Sequence, residues 1–181
     1  HWVLRGGAQS RGASRPLQLF DGVMQEVAAV LRHDGNLCGS VARALGATSS
    51  ALVEAIPLLA PFLPAQPESN LGSEAHAENR TVQALCALVD NLGNAARPAL
   101  VVLEDCQWAD NLTLSWLQAW QPPSDDVTAR TSHTMVLVSF RSEDVGPRHP
   151  LRALRPTSHM TLGLLDEETL RKLLQSMAGP L

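Results

Sequence analysis

The chain has 181 residues, of which 45% are hydrophobic and 18% charged, and its formal net charge is −4. This length allows one domain with its own core, and the composition excludes a disordered chain. The negative charge argues against bulk electrostatic binding of nucleic acid, and no apolar run reaches the ~20 residues that span a bilayer. The three cysteines fit neither a disulfide framework nor a zinc site, which predicts a cytoplasmic protein.

The first sixty residues predict one strand followed by helices. His1–Arg5 has the apolar pattern of a strand and ends at a glycine turn. Apolar residues then recur at helical spacing from Leu17 to Leu31, and two shorter helices are predicted over Cys38–Leu45 and Ser50–Leu59. Four prolines prevent a regular helix at and beyond the end of the last of these, namely Pro57, Pro61, Pro64 and Pro67.

A longer helix is predicted after Ser73, because five residues form one apolar stripe: Val82, Leu85, Cys86, Val89 and Leu92. Gly93 follows this stripe and is placed to cap the C-terminus of the helix. We therefore interpret residues 1–181 as one domain in which the region from about 37 to 95 is a helical insertion.

Two apolar runs, Ala99–Leu103 and Thr134–Phe140, predict strands in the second half of the chain. Their residues are apolar at consecutive positions, which is typical of strands covered on both faces in a parallel sheet. Met160–Leu164 is a weaker third candidate strand, and Asp166 is placed to cap a final helix with apolar residues on one side. The alternation of strands and helices predicts an α/β fold, with a parallel sheet flanked by helices.

Two adjacent acids, Glu104 and Asp105, directly follow the first of these apolar runs. Ligands of open parallel sheets bind at the carboxyl ends of the strands. An acid at that place can hold Mg²⁺, directly or through water, and a second acid can orient an attacking water molecule. Four apolar residues followed by two acids form a Walker B arrangement, although a solvated strand end has the same pattern.

Three segments of the sequence resemble parts of one known family. The first is LVVLEDCQWADNLTLSWLQAW, the second MVLVSFRSEDVGPRHPLRAL and the third LGLLDEETLRKLLQSMAGPL. They resemble the STAND class of AAA-like (Orc1-like) P-loop ATPases: its Walker B strand with a QWAD or HWAD turn, its next strand with an arginine beyond the end, and its closing strand and helix. The likeness is greatest to modules of large multi-domain bacterial signalling kinases.

The resemblance implies ATP and Mg²⁺ as cofactors and a role for three residues. Glu104 matches the magnesium-associated acid, and Asp105 matches the acid that activates water and also faces the metal. Arg141 matches a sensor-like arginine near the γ-phosphate. The resemblance therefore implies that Asp105 and Arg141 are catalytic and that Glu104, Asp105 and Arg141 all bind ATP. The family more often has Asp followed by Glu. The shorter acid at position 105 favours nucleotide binding over fast hydrolysis.

A phosphate-cradling loop of the form GxxxxGK[ST] does not occur in the sequence, whose single lysine is Lys172. In the family this loop and the first strand lie upstream of the position matched by His1. The resemblance therefore implies a P-loop NTPase-like core that is incomplete at its N-terminus. Such a fragment is expected to bind ATP poorly and to be inactive as an ATPase by itself.

The function implied by the resemblance is that of a regulatory ATPase module. Its nucleotide state would gate the output of a serine/threonine or sensor histidine kinase. Its partners would be ATP and the kinase or sensor domains of the same polypeptide, with homo-oligomers also compatible, and without direct contact to nucleic acid or membrane. Two alternatives stay open: an ATP-switched transcription regulator, and a degenerate scaffold that binds partners without nucleotide.

Overall fold

A computed structural model of the protein describes residues 1–7, 15–63, 74–121 and 132–178, without the side chains of residues 74 and 75. Its sheet has three parallel strands in the order β1-β2-β3. The strands are β1 (Trp2–Gly7), β2 (Ala99–Glu104) and β3 (Thr134–Val138). The predicted α/β class with a parallel sheet is confirmed.

The register of the sheet brings the carboxyl ends of the three strands to one edge. Gly7 lies opposite Glu104 in the β1–β2 pair. Leu103 lies opposite Val138 in the β2–β3 pair. Side chains that follow β2 and β3 therefore emerge at the same edge, where ligands of parallel sheets bind.

The helices of the described ranges lie mostly between β1 and β2, and they are α1 (Asp21–Leu31), α2 (Gly35–Leu45), α3 (Ser49–Ala55), α4 (Glu74–Asp90), α5 (Asn111–Trp120) and α6 (Glu167–Ala178). The first predicted helix starts later than expected, because Gln18–Phe20 is a 3₁₀ turn. A second such turn, Pro57–Leu59, follows α3. Pro64 and Pro67 lie outside the described residues.

The core joins the sheet to α1, α4 and α5. The predicted stripe of α4 is confirmed as core, because Val82, Leu85, Val89 and Leu92 are buried. Trp116 of α5 is fully buried, and its ring meets that of Phe20 edge to face with centroids 4.8 Å apart. Ring pairs of this geometry contribute about 0.5–1.5 kcal/mol beyond the area that they bury.

Gly93 does not cap α4 as predicted. The helix ends at Asp90, and Gly46 is the glycine with a positive φ among the described residues. A Cβ atom on Gly93 would lie 2.2 Å from the carbonyl oxygen of His133. The glycine is needed because the chain ahead of β2 passes directly against the chain ahead of β3, not because of its backbone conformation.

The outer part of the sheet departs from the prediction of strands covered on both faces. Met135 and Leu137 point to the same side of β3 and are 62% and 47% exposed. The stretch Met160–Leu164, predicted as a strand, has no strand structure. A strand needs a hydrogen-bonding neighbour, and within the described residues this stretch has none.

The final helix is confirmed as predicted, and Asp166 accepts a hydrogen bond from the backbone N–H of Thr169 at its start. Its apolar side is not packed, however: α6 has no buried residue. Within the described ranges, no helix combines the length and the hydropathy that crossing a bilayer requires.

Candidate functional site

The pairing of β2 with β3 continues past the two acids. The N–H of Ser139 donates to the carbonyl of Leu103, and the N–H of Cys106 donates back to the carbonyl of Ser139, both at 2.9 Å. Glu104 and Asp105 thus form a local bulge between two paired positions. Asp105 has φ 55° and ψ 41°, a left-handed conformation that aspartate tolerates better than most residues do.

The structure brings two of the three predicted site residues together. The Oδ1 atom of Asp105 lies 4.0 Å from Nε of Arg141, and the two side chains are 51% and 67% exposed. Among the described ion pairs Arg141 pairs with Asp105, and not with the acids that follow it in sequence, Glu143 and Asp144. An exposed pair at this distance contributes about 0–1 kcal/mol to stability.

Glu104, the third predicted residue, is exposed at the last position of β2, beside Gly7 of β1. A Cβ atom on Gly7 would lie 3.8 Å from the Cβ of Glu104, so a larger residue there would crowd the acid only slightly. Glu104 and Asp105 are adjacent in sequence, and both lie within the bulge at the carboxyl end of β2. The candidate site is therefore open to solvent, with one acid on β2 and an acid–arginine pair between β2 and β3.

Gln107 connects the acid to the arginine, and this residue was not singled out in the sequence. Its Nε2 donates to Oδ1 of Asp105 at 3.0 Å, while its Oε1 accepts from the backbone N–H of Arg141 at 3.2 Å. The residue is only 9% exposed. The QWAD motif contained the signal, but a glutamine side chain in a turn does not reveal its partner 34 residues away.

Cys106 is the first residue of the turn that follows Asp105, and its side chain points into the core. It is fully buried, and its Sγ donates to the carbonyl of Leu103 at 3.3 Å. Burial raises the pKa of the thiol to about 12, with a smaller contribution from the charge of Asp105 and a partly opposing backbone hydrogen bond from Ser139. A thiol with so high a pKa is not a nucleophile at neutral pH.

Asp110 caps α5 and also makes a contact with a residue that is distant in sequence. Its Oδ1 accepts from the N–H groups of Leu112 and Thr113, each at 3.0 Å. Its Oδ2 accepts from the N–H of Leu17 at 3.0 Å. Leu17 has φ 60°, so the carboxylate holds a strained residue ahead of α1. Asp110 therefore ties the chain before α1 to the start of α5.

The side chains of Glu104, Asp105 and Arg141 suit one kind of metal site better than others. Within the described residues, no group of three or more His, Cys, Asp and Glu side chains is arranged to hold a metal ion. Two carboxylates suit Mg²⁺ when water and phosphate oxygens complete its octahedral shell. Arg141 beside Asp105 suits an anionic group such as phosphate. Glu104, Asp105 and Arg141 thus fit an ion shared with a phosphate, and not a closed protein site.

A cavity of about 360 Å³ lies at the other end of the sheet, near the residues that precede β2. Its lining includes Asp34 and Arg97, whose charged groups are 3.6 Å apart. The lining also contains Asn91 and Asn94, whose side chains bond to neighbouring backbone groups. These four side chains therefore already have partners in the protein, and none of the predicted site residues contributes to the cavity.

Comparisons with known proteins do not identify the chain. No family model, no curated protein and no solved structure matches it. The resemblance to the STAND class therefore stays a prediction that rests on the quoted segments. The same holds for the roles of Glu104, Asp105 and Arg141, whose placement is now described but whose chemistry is not tested.

Proposed function

We propose that the chain is part of a regulatory ATPase-type module that binds ATP with Mg²⁺ at the carboxyl ends of β2 and β3. The observation that carries this proposal is the approach of Asp105 to Arg141, at 4.0 Å, beyond neighbouring parallel strands. A carboxylate and a guanidinium side by side match the two charges of a magnesium–phosphate group. The STAND resemblance provides the same assignment independently.

Each residue has a distinct part in this proposal. Glu104 holds Mg²⁺, directly or through a bound water, and the ion neutralises phosphate charge. Asp105 faces the same ion and orients water. Arg141 leaves its ion pair to contact the γ-phosphate. Because that exposed pair is worth only about 0–1 kcal/mol, releasing it costs little.

The proposed output is a population shift between two states. Arg141 engages the γ-phosphate when ATP is bound and pairs with Asp105 when it is absent, and this difference gates an attached kinase or sensor domain in the cytoplasm. The chain has no GxxxxGK[ST] loop. In this proposal another segment of polypeptide contributes the phosphate-binding loop, and residues 1–181 alone have no micromolar affinity for ATP.

The test is calorimetric titration of Mg-ATP into the natural polypeptide that contains this chain. We expect Glu104→Gln, Asp105→Asn and Arg141→Ala each to weaken Mg-ATP binding by about tenfold or more, since each removes a charged contact worth about 1.4 kcal/mol. The matched control is Glu54→Gln, which makes the same chemical change at an exposed acid of helix α3. It should leave the affinity unchanged.

The two alternatives give different results. Unchanged affinity in the Glu104→Gln and Asp105→Asn variants, or an unvaried protein that binds no Mg-ATP, would contradict the proposal. Those results favour a scaffold that binds partners without nucleotide, in which the pair between Asp105 and Arg141 is only structural. A transcription regulator would bind ATP in the same way and differ only in its attached output domain.

A further inference from the structure

Gln107 occupies an unusual position, because a single buried amide contacts the acid on one side and the chain bearing the arginine on the other. It lies in the 3₁₀ turn Cys106–Trp108 that follows Asp105. Its Nε2 reaches the Asp105 carboxylate and its Oε1 receives the Arg141 N–H. The ion pair between Asp105 and Arg141 is exposed and long, whereas these two hydrogen bonds are part-buried and come from a residue that is only 9% exposed.

The chemistry of the two contacts requires an amide. An ionised carboxylate only accepts hydrogen bonds, and a backbone N–H only donates them. A side chain between them must donate at one atom and accept at the other, and these partners fix which end of the amide faces which group. Glutamate in its ionised form would place two acceptors there, and an apolar residue would leave the part-buried Arg141 N–H without this acceptor.

We propose that Gln107 is a positioning residue that holds the Asp105 carboxylate and the backbone at Arg141 in a fixed relation. The role deepens the proposed function and rests on it for its consequence: the acid at the metal and the arginine at the phosphate move as a unit. A shift of the backbone at Arg141 reaches Asp105 through the amide. Asp105, already in a left-handed conformation, has little other support for its side chain among the described residues.

Two substitutions at position 107 separate the contributions of the two hydrogen bonds, which together are called the Gln107 bridge. Gln107→Met removes both hydrogen bonds at similar volume, and Gln107→Glu keeps the acceptor for the Arg141 N–H but replaces the donor to Asp105. Gln83→Met, at an exposed position of α4, is the matched control. The variants are made in the natural polypeptide and compared by circular dichroism to establish that they fold.

The first readout needs no nucleotide. Hydrogen–deuterium exchange at the backbone amide of Arg141 should be about tenfold faster in Gln107→Met and close to that of the unvaried protein in Gln107→Glu. Equal exchange at Arg141 in Gln107→Met and in the unvaried protein would overturn the bridge. If the unvaried protein binds no Mg-ATP, the proposed function fails, while this exchange result still decides whether Gln107 fixes the backbone at Arg141.

The second readout is Mg-ATP affinity as a function of pH. We expect both Gln107 variants to bind about tenfold more weakly at pH 8. Only Gln107→Glu should recover towards pH 5.5, relative to the unvaried protein at the same pH, because two adjacent carboxyl groups share a proton and the protonated group can again donate. A purely structural role predicts no such recovery. Unchanged affinity in Gln107→Met at pH 8, in a protein that does bind Mg-ATP, would reject the positioning role.

Discussion

Residues 1–154 and residues 155–178 use the same kind of apolar pattern with opposite results. The first region buries large side chains completely, among them Leu4, Leu88 and Trp116. In the second region every described residue is exposed. The apolar pattern of a sequence indicates which side of an element requires burial, but it does not say which part of the chain provides the cover.

The contrast is sharpest between α4 and α6, two amphipathic helices. The stripe of α4 packs against α3 and α5. The apolar residues of α6 stay 43–78% exposed, and its described support is local, from the Asp166 cap and the pairs Glu167–Arg171 and Glu168–Lys172. Because a helix of this length is marginal in isolation, α6 should open independently of the core.

The first prediction concerns the pH dependence of the free energy of unfolding, which the buried thiol of Cys106 should dominate in the alkaline range. The pKa of Cys106 is about 12 in the native state, against an ordinary value of 9.0. The native state therefore keeps a proton that the unfolded state loses. The contribution of the protonated thiol to the free energy of unfolding is therefore fully present below pH 9. Above pH 9 the free energy of unfolding declines by about 1.4 kcal/mol for each pH unit. Denaturant unfolding between pH 8 and 11 should show this slope.

Cys106→Ala is the control for that slope, since it removes the thiol and leaves every other titrating group in place. The chain has no tyrosine and a single lysine, so few other side chains change charge in the alkaline window. Ser176→Cys in α6 adds an exposed thiol and should add no slope of its own. A slope that persists in Cys106→Ala would show that another group is responsible.

The next prediction compares the same type of substitution, leucine to alanine, in the two regions. Leu88→Ala in α4 should lower the free energy of unfolding by about 2–5 kcal/mol, because it leaves a cavity at a fully buried position. Leu173→Ala in α6 should change it by less than about 0.5 kcal/mol, since the side chain is 43% exposed. Urea unfolding measures both. A cost above 1 kcal/mol for Leu173→Ala would mean that α6 packs on the core in solution.

The smallest effect compares two aspartate caps. Asp110→Ala should lower the free energy of unfolding by about 1–2 kcal/mol, because its carboxylate caps α5 and also holds Leu17. Asp166→Ala removes a cap of the same chemistry from α6 and should leave global unfolding unchanged, with only a loss of helical circular dichroism. Equal destabilisation by both changes would remove the distinction between the two regions.

The parallel sheet could be predicted because β2 and β3 are short runs of consecutive apolar residues, and such runs can be recognised in the sequence alone. The meeting of Asp105 with Arg141 followed from the rule that parallel strands end at one edge. Met160–Leu164 was predicted wrongly, since strand formation depends on a neighbouring strand that local pattern does not reveal. Gln107 and the contact of Asp110 with Leu17 were missed because hydrogen bonds between distant residues leave no periodic signal.

The backbone at position 105 also bears on the choice of acid there. At φ 55° the Cβ atom lies close to a backbone carbonyl oxygen, which glycine avoids and which Asn and Asp offset best because their short polar side chains can hydrogen-bond locally. Asparagine can therefore replace aspartate at position 105 with little disturbance of the bulge. Glutamate has a longer side chain and would be strained in this backbone conformation. The short acid at position 105 is thus the one that this backbone conformation favours.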